Sequence, residues 1–228
     1  MERNAFLSRI RDATARGRAY PVPLNPEATA DQAYVGGGDD PVATFLREWS
    51  AVGGKGVRAA SLEDARSYLR DVIELHSVRS ALCWPHPVLE RFGLEEFLQE
   101  QQVEVRRWDW IEEQAPVQRW EQTFSADLGI TSVDWAVAET GTQVLASRPG
   151  RGRSVSLLPP VHVTIVEPAQ IVPDLFDLFG LLDEQKDELP SSLSLITGPS
   201  KTGDIQLKLT TGVHGPKEAH VIVVDAEF

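Results

Sequence analysis

Apolar residues recur at helical spacing near the start of the chain. Phe6, Leu7, Ile10 and Ala13 share one side of a helix predicted over residues 3–16. A Pro- and Gly-rich stretch, 17–40, follows and ends in GGGDDP, which reads as a loop or linker. From about residue 41 helical and strand-like runs alternate. VATFLREWSAVGG reads as helix and GVRAA as a short strand. In SLEDARSYLRDVIELH, residues Leu62, Ala65, Leu69, Val72 and Ile73 build one apolar face, Ser61 can cap the first turn, and Asp64 stands at the capping-box position. SALCW reads as a short apolar strand, HPVLERFGLEEFLQE as a helix, VEVRRW as a strand, and APVQRWEQTFSADLG as a helix ending near Gly129.

The second half is richer in strands. ITSVDWAVAE sets Val133, Trp135 and Val137 on one side and Ala136 and Ala138 on the other. With Thr140-Gly141 and TQVLAS behind it, the run predicts a hairpin. VHVTIVE reads as a buried strand, 168–186 as a helix with Pro168 near its start, and SLSLITG, DIQLKLTTGV and AHVIVVD as further strands. Strands alternating with helices predict an α/β sandwich with a mostly parallel sheet. The expected organisation is an N-terminal helix and linker over 1–40, then one α/β domain over 41–228.

Composition narrows the function classes. Of 228 residues, 42% are hydrophobic and 25% charged, which excludes global disorder. A net charge of −12 disfavours nucleic acid and anionic lipid as partners. Cys83 is the single cysteine, so the chain can form no internal disulfide, iron–sulfur cluster or Cys-rich zinc site by itself. Its apolar neighbours in SALCW make it a buried structural thiol. The charged N-terminus, MERNAFLSRIRDATARG, lacks the apolar core of a signal peptide, and no uninterrupted apolar run is long enough to span a bilayer. A cytoplasmic location without membrane insertion is expected. The five histidines form no HxxxH pair, and His86, His162 and His220 fall where packing or capping would use them, so no metal site is expected.

Three polar turns follow strand-like runs, and in open α/β sheets ligands bind beyond the carboxyl ends of strands. In AETGT, Glu139 ends a strand and Gly141 permits a tight turn; the carboxylate can be a nucleophile or base, or simply bond its own turn or face water. In ITGPSKTGD, residues Gly198, Pro199, Ser200, Lys201, Thr202 and Asp204 can hold a carboxylate or phosphate, although the spacing is not that of a Walker motif. Read plainly, the same residues are a turn with Asp204 as a cap. In TTGVHGPKE, His214 stands beside Gly215 and can act as acid or base near neutral pH. The basic turn SRPGRGR can bind an anion, or can be a solvated turn.

The run GITSVDWAVAETGTQVL, then SLLPPVH, IVPDL, PSSLSLITGPSKTGDIQ and GVHGPKEAHVIVVD, resembles the lactate-utilization protein C family, the LUD domain. The likeness is close over about 120–225 and looser before. It implies a three-layer α/β/α fold similar to the phosphosugar-isomerase and CoA-transferase superfamily. It also implies a role beside two iron–sulfur proteins that together convert L-lactate to pyruvate, with the clusters in those partners and no cofactor on this chain. Relatives similar to CoA transferases carry a glutamate on an E-x-G turn, a motif comparable to Glu139-Thr140-Gly141, with Thr142 following. The resemblance therefore leaves two readings: a non-redox subunit or accessory protein that binds partners and a small carboxylate or phosphate-bearing ligand, or a free-standing isomerase or acyl/CoA-transferase-like enzyme that uses Glu139 as nucleophile or base.

Overall fold

The computed structural model describes residues 3–17, 36–205, 208–212 and 214–225, so most of the linker expected over 17–40 lies outside the described residues. The chain divides into two units, Met1–Tyr34 and Val35–Phe228. In the first, α1 (Arg3–Gly17) is the expected amphipathic helix, and its stripe of Phe6, Leu7 and Ile10 is exposed.

The second unit opens with α2 (Pro41–Ala51), β1 (Lys55–Ala59), α3 (Leu62–Leu75), β2 (Ser80–Cys83), α4 (Pro87–Phe92), α5 (Leu94–Glu100), β3 (Glu104–Arg107), α6 (Trp108–Glu112), α7 (Pro116–Phe124) and β4 (Leu128–Thr131). It continues through β5 (Trp135–Val137), β6 (Thr142–Ala146), α8 (Ser154–Leu157), β7 (Val161–Val166), a 3-10 turn at Pro168–Gln170, β8 (Ile171–Val172), α9 (Leu175–Glu184), a second 3-10 turn at Lys186–Glu188, β9 (Leu193–Ile196), β10 (Lys201–Ile205), β11 (Lys208–Thr211) and β12 (Glu218–Val224). Six strands form a parallel sheet in the order β1-β12-β7-β4-β2-β3. Their central members are buried on both faces and mostly apolar, as a sheet covered on both sides requires. Helix α3 covers one face, with Ser61 as its N-cap accepting from the Asp64 N–H at 3.1 Å. The expected α/β class with a mostly parallel sheet is the fold observed.

A second, four-stranded sheet, β8-β5-β6-β9, lies against the other face of the parallel sheet. The predicted β5–β6 hairpin is its centre, and alternation along it sorts the side chains. Ala136 and Leu145 join the main core, whereas Val137 and Val144 pack with Leu178 of α9 on the outside.

Four local expectations change. The helix expected to reach Gly129 stops at Phe124, because Asp127 accepts from the Arg79 and Ser80 N–H groups and ties the chain to the start of β2; Gly129 is a strand residue. The helix expected over 168–186 begins only at Leu175, where buried Asp174 caps the N–H groups of Phe176 and Asp177. Residues 168–172 instead form the 3-10 turn, closed by a Glu167/Gln170 capping box, and strand β8. HPVLERFGLEEFLQE is two helices, because Gly93 at φ +67° turns the chain between α4 and α5. DIQLKLTTGV is an antiparallel pair, β10 with β11, rather than one strand.

Gly129 and Gly180 give opposite stability predictions. A Cβ on Gly129 would sit 2.0 Å from the main-chain oxygen of Val155 in α8, while one on Gly180 meets nothing within 4 Å. Gly129→Ala should cost about 1–3 kcal/mol or more. Gly180→Ala, inside α9, should stabilise by about 0.5–1 kcal/mol. Urea unfolding midpoints of the two variants should move in opposite directions.

Candidate functional site

The three polar turns follow β5, β9 and β11, which belong to the second sheet and to the β10–β11 pair rather than to the parallel sheet. Two of the turns meet. Gly198, Pro199, Ser200 and Lys201 line a cleft of about 300 Å³ with His214 and Gly215. Its floor includes His162 and Ala219, the second residues of β7 and β12. The cleft therefore opens at the amino ends of the central strands, not at the carboxyl ends.

Glycines allow its loops to close. Gly198 sits at φ +88°, and a Cβ there would lie 2.9 Å from the Val52 side chain. A Cβ on Gly215 would lie 3.1 Å from Ser200. The Ser200 N–H donates to the Pro216 carbonyl at 3.0 Å, and the Gly212 N–H donates to the Ser200 carbonyl at 3.0 Å. Those amides hold the loops to each other, so the Ser200 amide is already used and the cradle expected from backbone N–H groups is in part a brace. Lys201 donates its ammonium to the Val52 carbonyl. What the cleft offers a ligand is the side chains of Thr197, Ser200, Lys201 and His214, which suit a small anion.

Glu139 is not among the residues lining this cleft. It is half-buried, and its N–H donates to the Pro173 carbonyl at 3.0 Å. Its turn is nonetheless coupled to the cleft by hydroxyls: Thr140 donates to Thr142 at 2.7 Å, and Thr142 bonds Thr197 at 2.7 Å. Gly141, at φ +60°, brings the turn so close to α2 that a Cβ would lie 2.4 Å from the Trp49 nitrogen. Thr202 lies in β10 opposite Thr210, and Asp204 is in the same strand. The SRPGRGR turn is engaged: Arg148 and Arg151 bridge, and Arg151 reaches Asp134 at 3.5 Å.

His162 and the polar layer beside it were not expected as site residues. His162 Nε2 bonds the Thr131 hydroxyl at 2.9 Å, and the Thr164 hydroxyl donates to Gln143 of the second sheet at 2.7 Å. All four side chains are buried. Burial pushes His162 down to about 3, with His220 adding to the shift, so the floor of the cleft is neutral. A signal was present in the alternation of His162 and Thr164 within an otherwise apolar strand.

Another cleft, of about 260 Å³, does lie at the carboxyl ends of β2 and β3, beside Cys83 and Arg107. Its lining is acidic, with Glu90, Glu95 and Glu96, and its arginine is already engaged, since Arg107 pairs with Glu95 and Asp109 at 2.8 Å each. Burial raises the Cys83 thiol, so it is no nucleophile. The first cleft is the better candidate site. His76, Glu218 and His220 form a separate cluster of possible metal ligands.

The LUD domain family matches residues 42–224. The chain is 34% identical to a protein named Lactate utilization protein C from Halalkalibacterium halodurans over 98% of this chain and 97% of that one. It is 32% identical to the protein of the same name from Shouchella clausii, again over 98% and 97%. Among solved structures, a DUF162 family protein from Deinococcus radiodurans shares the fold, with a TM-score of 0.56 and 20% identity over 80% of this chain and 95% of that one.

Buried histidines set a pH dependence. His86, whose Nδ1 accepts the Val88 N–H at 3.2 Å as the cap of α4, is lowered to about 4 by burial and then by Arg151 and Arg91. His162 is lowered to about 3. Both are neutral when folded but take a proton near the ordinary value of 6.5 when unfolded. The unfolded chain therefore binds more protons below that pH, and stability falls as the pH drops from about 6.5 toward 4. Each histidine contributes a slope of at most about 1.4 kcal/mol per pH unit. His86→Asn keeps a capping side chain and should flatten this slope in urea titrations; an unaltered slope would exclude His86 as a contributor.

Proposed function

The chain belongs to the LUD domain family, and we propose that it serves lactate utilization as a non-redox subunit or accessory protein, acting with two iron–sulfur partners in the oxidation of L-lactate to pyruvate. The observation that carries this reading is the nearly full-length likeness to two proteins named Lactate utilization protein C. Converting lactate to pyruvate removes two electrons and two protons, and an acceptor must take them. A cluster would need several thiolates. This chain has one, and it is buried. The redox centres are therefore assigned to the partners and the setting to the cytoplasm. Among the described residues no helix is long and apolar enough to cross a membrane.

Within such an assembly the cleft would hold a small carboxylate through Ser200, Lys201 and His214, with Thr197 tying it to the Glu139 turn. Glu139, Thr140, Gly141 and Thr142 would then position the cleft rather than react in it. A free-standing isomerase or acyl/CoA-transferase that uses Glu139 is the weaker reading, because that carboxylate is not part of the cleft lining.

Deleting the gene in its native host should abolish growth on L-lactate, with growth on glucose unaffected. The chain isolated from lactate-grown cells should bring down two cysteine-rich iron–sulfur proteins together with lactate-oxidising activity. Lys201→Met should impair lactate growth far more than the loss of its bond to the Val52 carbonyl lowers the thermal midpoint, and Glu139→Gln should impair growth less. Turnover of lactate by the isolated chain with an artificial acceptor would overturn the accessory reading; full growth support by Lys201→Met would remove the ligand role of the cleft.

A further inference from the structure

On the opposite face of the parallel sheet, where α3 packs, two imidazoles converge on one carboxylate. Glu218 and His220 alternate along β12 and so share a face, and His76 follows the last turn of α3. His76 Nε2 lies 3.4 Å from Glu218 Oε2, and His220 Nε2 lies 3.5 Å from the same oxygen. Neither contact has the geometry of a hydrogen bond, and both nitrogens are sealed from solvent. His220 is 97% buried as a side chain by its 3% exposure, so an unpartnered nitrogen there is costly.

We propose that His76, Glu218 and His220 bind a divalent transition-metal ion of the zinc class. Donors about 2.0–2.1 Å from a tetrahedral ion stand about 3.3–3.4 Å apart. The two nitrogen-to-oxygen distances of 3.4 and 3.5 Å match that edge. The three donor atoms all lie within 4.8 Å of one another. A cation among them would give both nitrogens the partner they lack. Two imidazoles and a carboxylate suit zinc and its neighbours, whereas magnesium and calcium prefer oxygen alone.

The surroundings are those of a built site. The Tyr68 hydroxyl bonds His220 Nδ1 at 3.0 Å, which orients the ring and directs Nε2 to the cluster. His76 and Glu218 border a cleft of about 170 Å³, leaving a coordination position that water can reach. Asp127 borders the same cleft but accepts from Arg79 and Ser80, so it is no fourth ligand. The ammonium of Lys55 rests 2.5 Å from Glu218 Oε2 and holds the place of a positive charge. Its side chain is half-exposed and can swing out when the metal enters. The site shares no residue with the cleft proposed for the carboxylate and stands independently of the lactate reading.

The test is calorimetric titration of the tag-free full chain, stripped with chelator, using zinc chloride, with magnesium chloride as control. One zinc per chain and no magnesium binding are expected. Tyr68→Phe should weaken zinc about 10–100-fold as an outer-shell change. Glu218→Gln and His76→Gln should weaken it more, and Lys55→Gln should tighten it. His76 lies at a helix end and is partly exposed, so His76→Gln keeps the fold even if variants at His220 do not. Cobalt provides a second readout: the wild type should give the visible absorption of a four-coordinate ion, and His76→Gln should lose it. No zinc binding by the wild type, or unchanged binding by His76→Gln, would overturn the proposal.

Discussion

The last turn of α2 is where the two sheets and the cleft are held together, and what holds them is close main-chain contact around Trp49. The indole is fully buried and donates to the Lys55 carbonyl at 2.8 Å. Gly54 passes so near that a Cβ would lie 2.3 Å from the ring. Gly141 brings the β5–β6 turn against the backbone of the same residue, and Gly198 brings the cleft loop against Val52 one turn on. Parallel sheet, second sheet and ligand loop thus rest on one helical turn. Any side chain at these glycines would push the layers apart, and the indole itself fills a volume whose loss would cost about 3–5 kcal/mol.

Polar groups are placed between the sheets rather than only at their edges. Thr131 with His162, and Thr164 with Gln143, are paired across buried surfaces. Buried pairs of this kind cost more when half-broken than they contribute when whole. The Thr164–Gln143 bond therefore favours a single register between the parallel sheet and the second sheet, and the Thr131–His162 bond ties β4 to β7 within the parallel sheet. The same layer leaves His162 uncharged beneath the cleft, so any attraction for an anion must come from the rim.

Much of this was legible in the sequence. The face of α3 and its Ser61 cap, the β5–β6 hairpin and the apolar central strands are local patterns, and local patterns are what periodicity reports. Periodicity does not say which sheet a strand joins, so the second sheet and the β10–β11 pair were invisible as such. Nor does it foresee tertiary ties such as Asp127 on Ser80, which ended a helix early. Of the three Gly/Ser/Thr turns, those at 198–201 and 214–215 line one cleft. They could not reveal that Glu139 stands behind a relay of three threonines, nor that His76 meets Glu218 and His220 from the far end of the domain's sequence.

The solitary thiol has a use apart from any biological role. Cys83 is 2% exposed, and its ionisation is suppressed by burial, so an alkylating reagent can reach it only when the carboxyl end of β2 opens. With no second sulfhydryl in the chain to confuse the signal, the rate of labelling becomes a clock for that opening, readable by mass alone in dilute protein or in cell extract. The molecule thus carries its own reporter of conformational excursions, without any engineered tag.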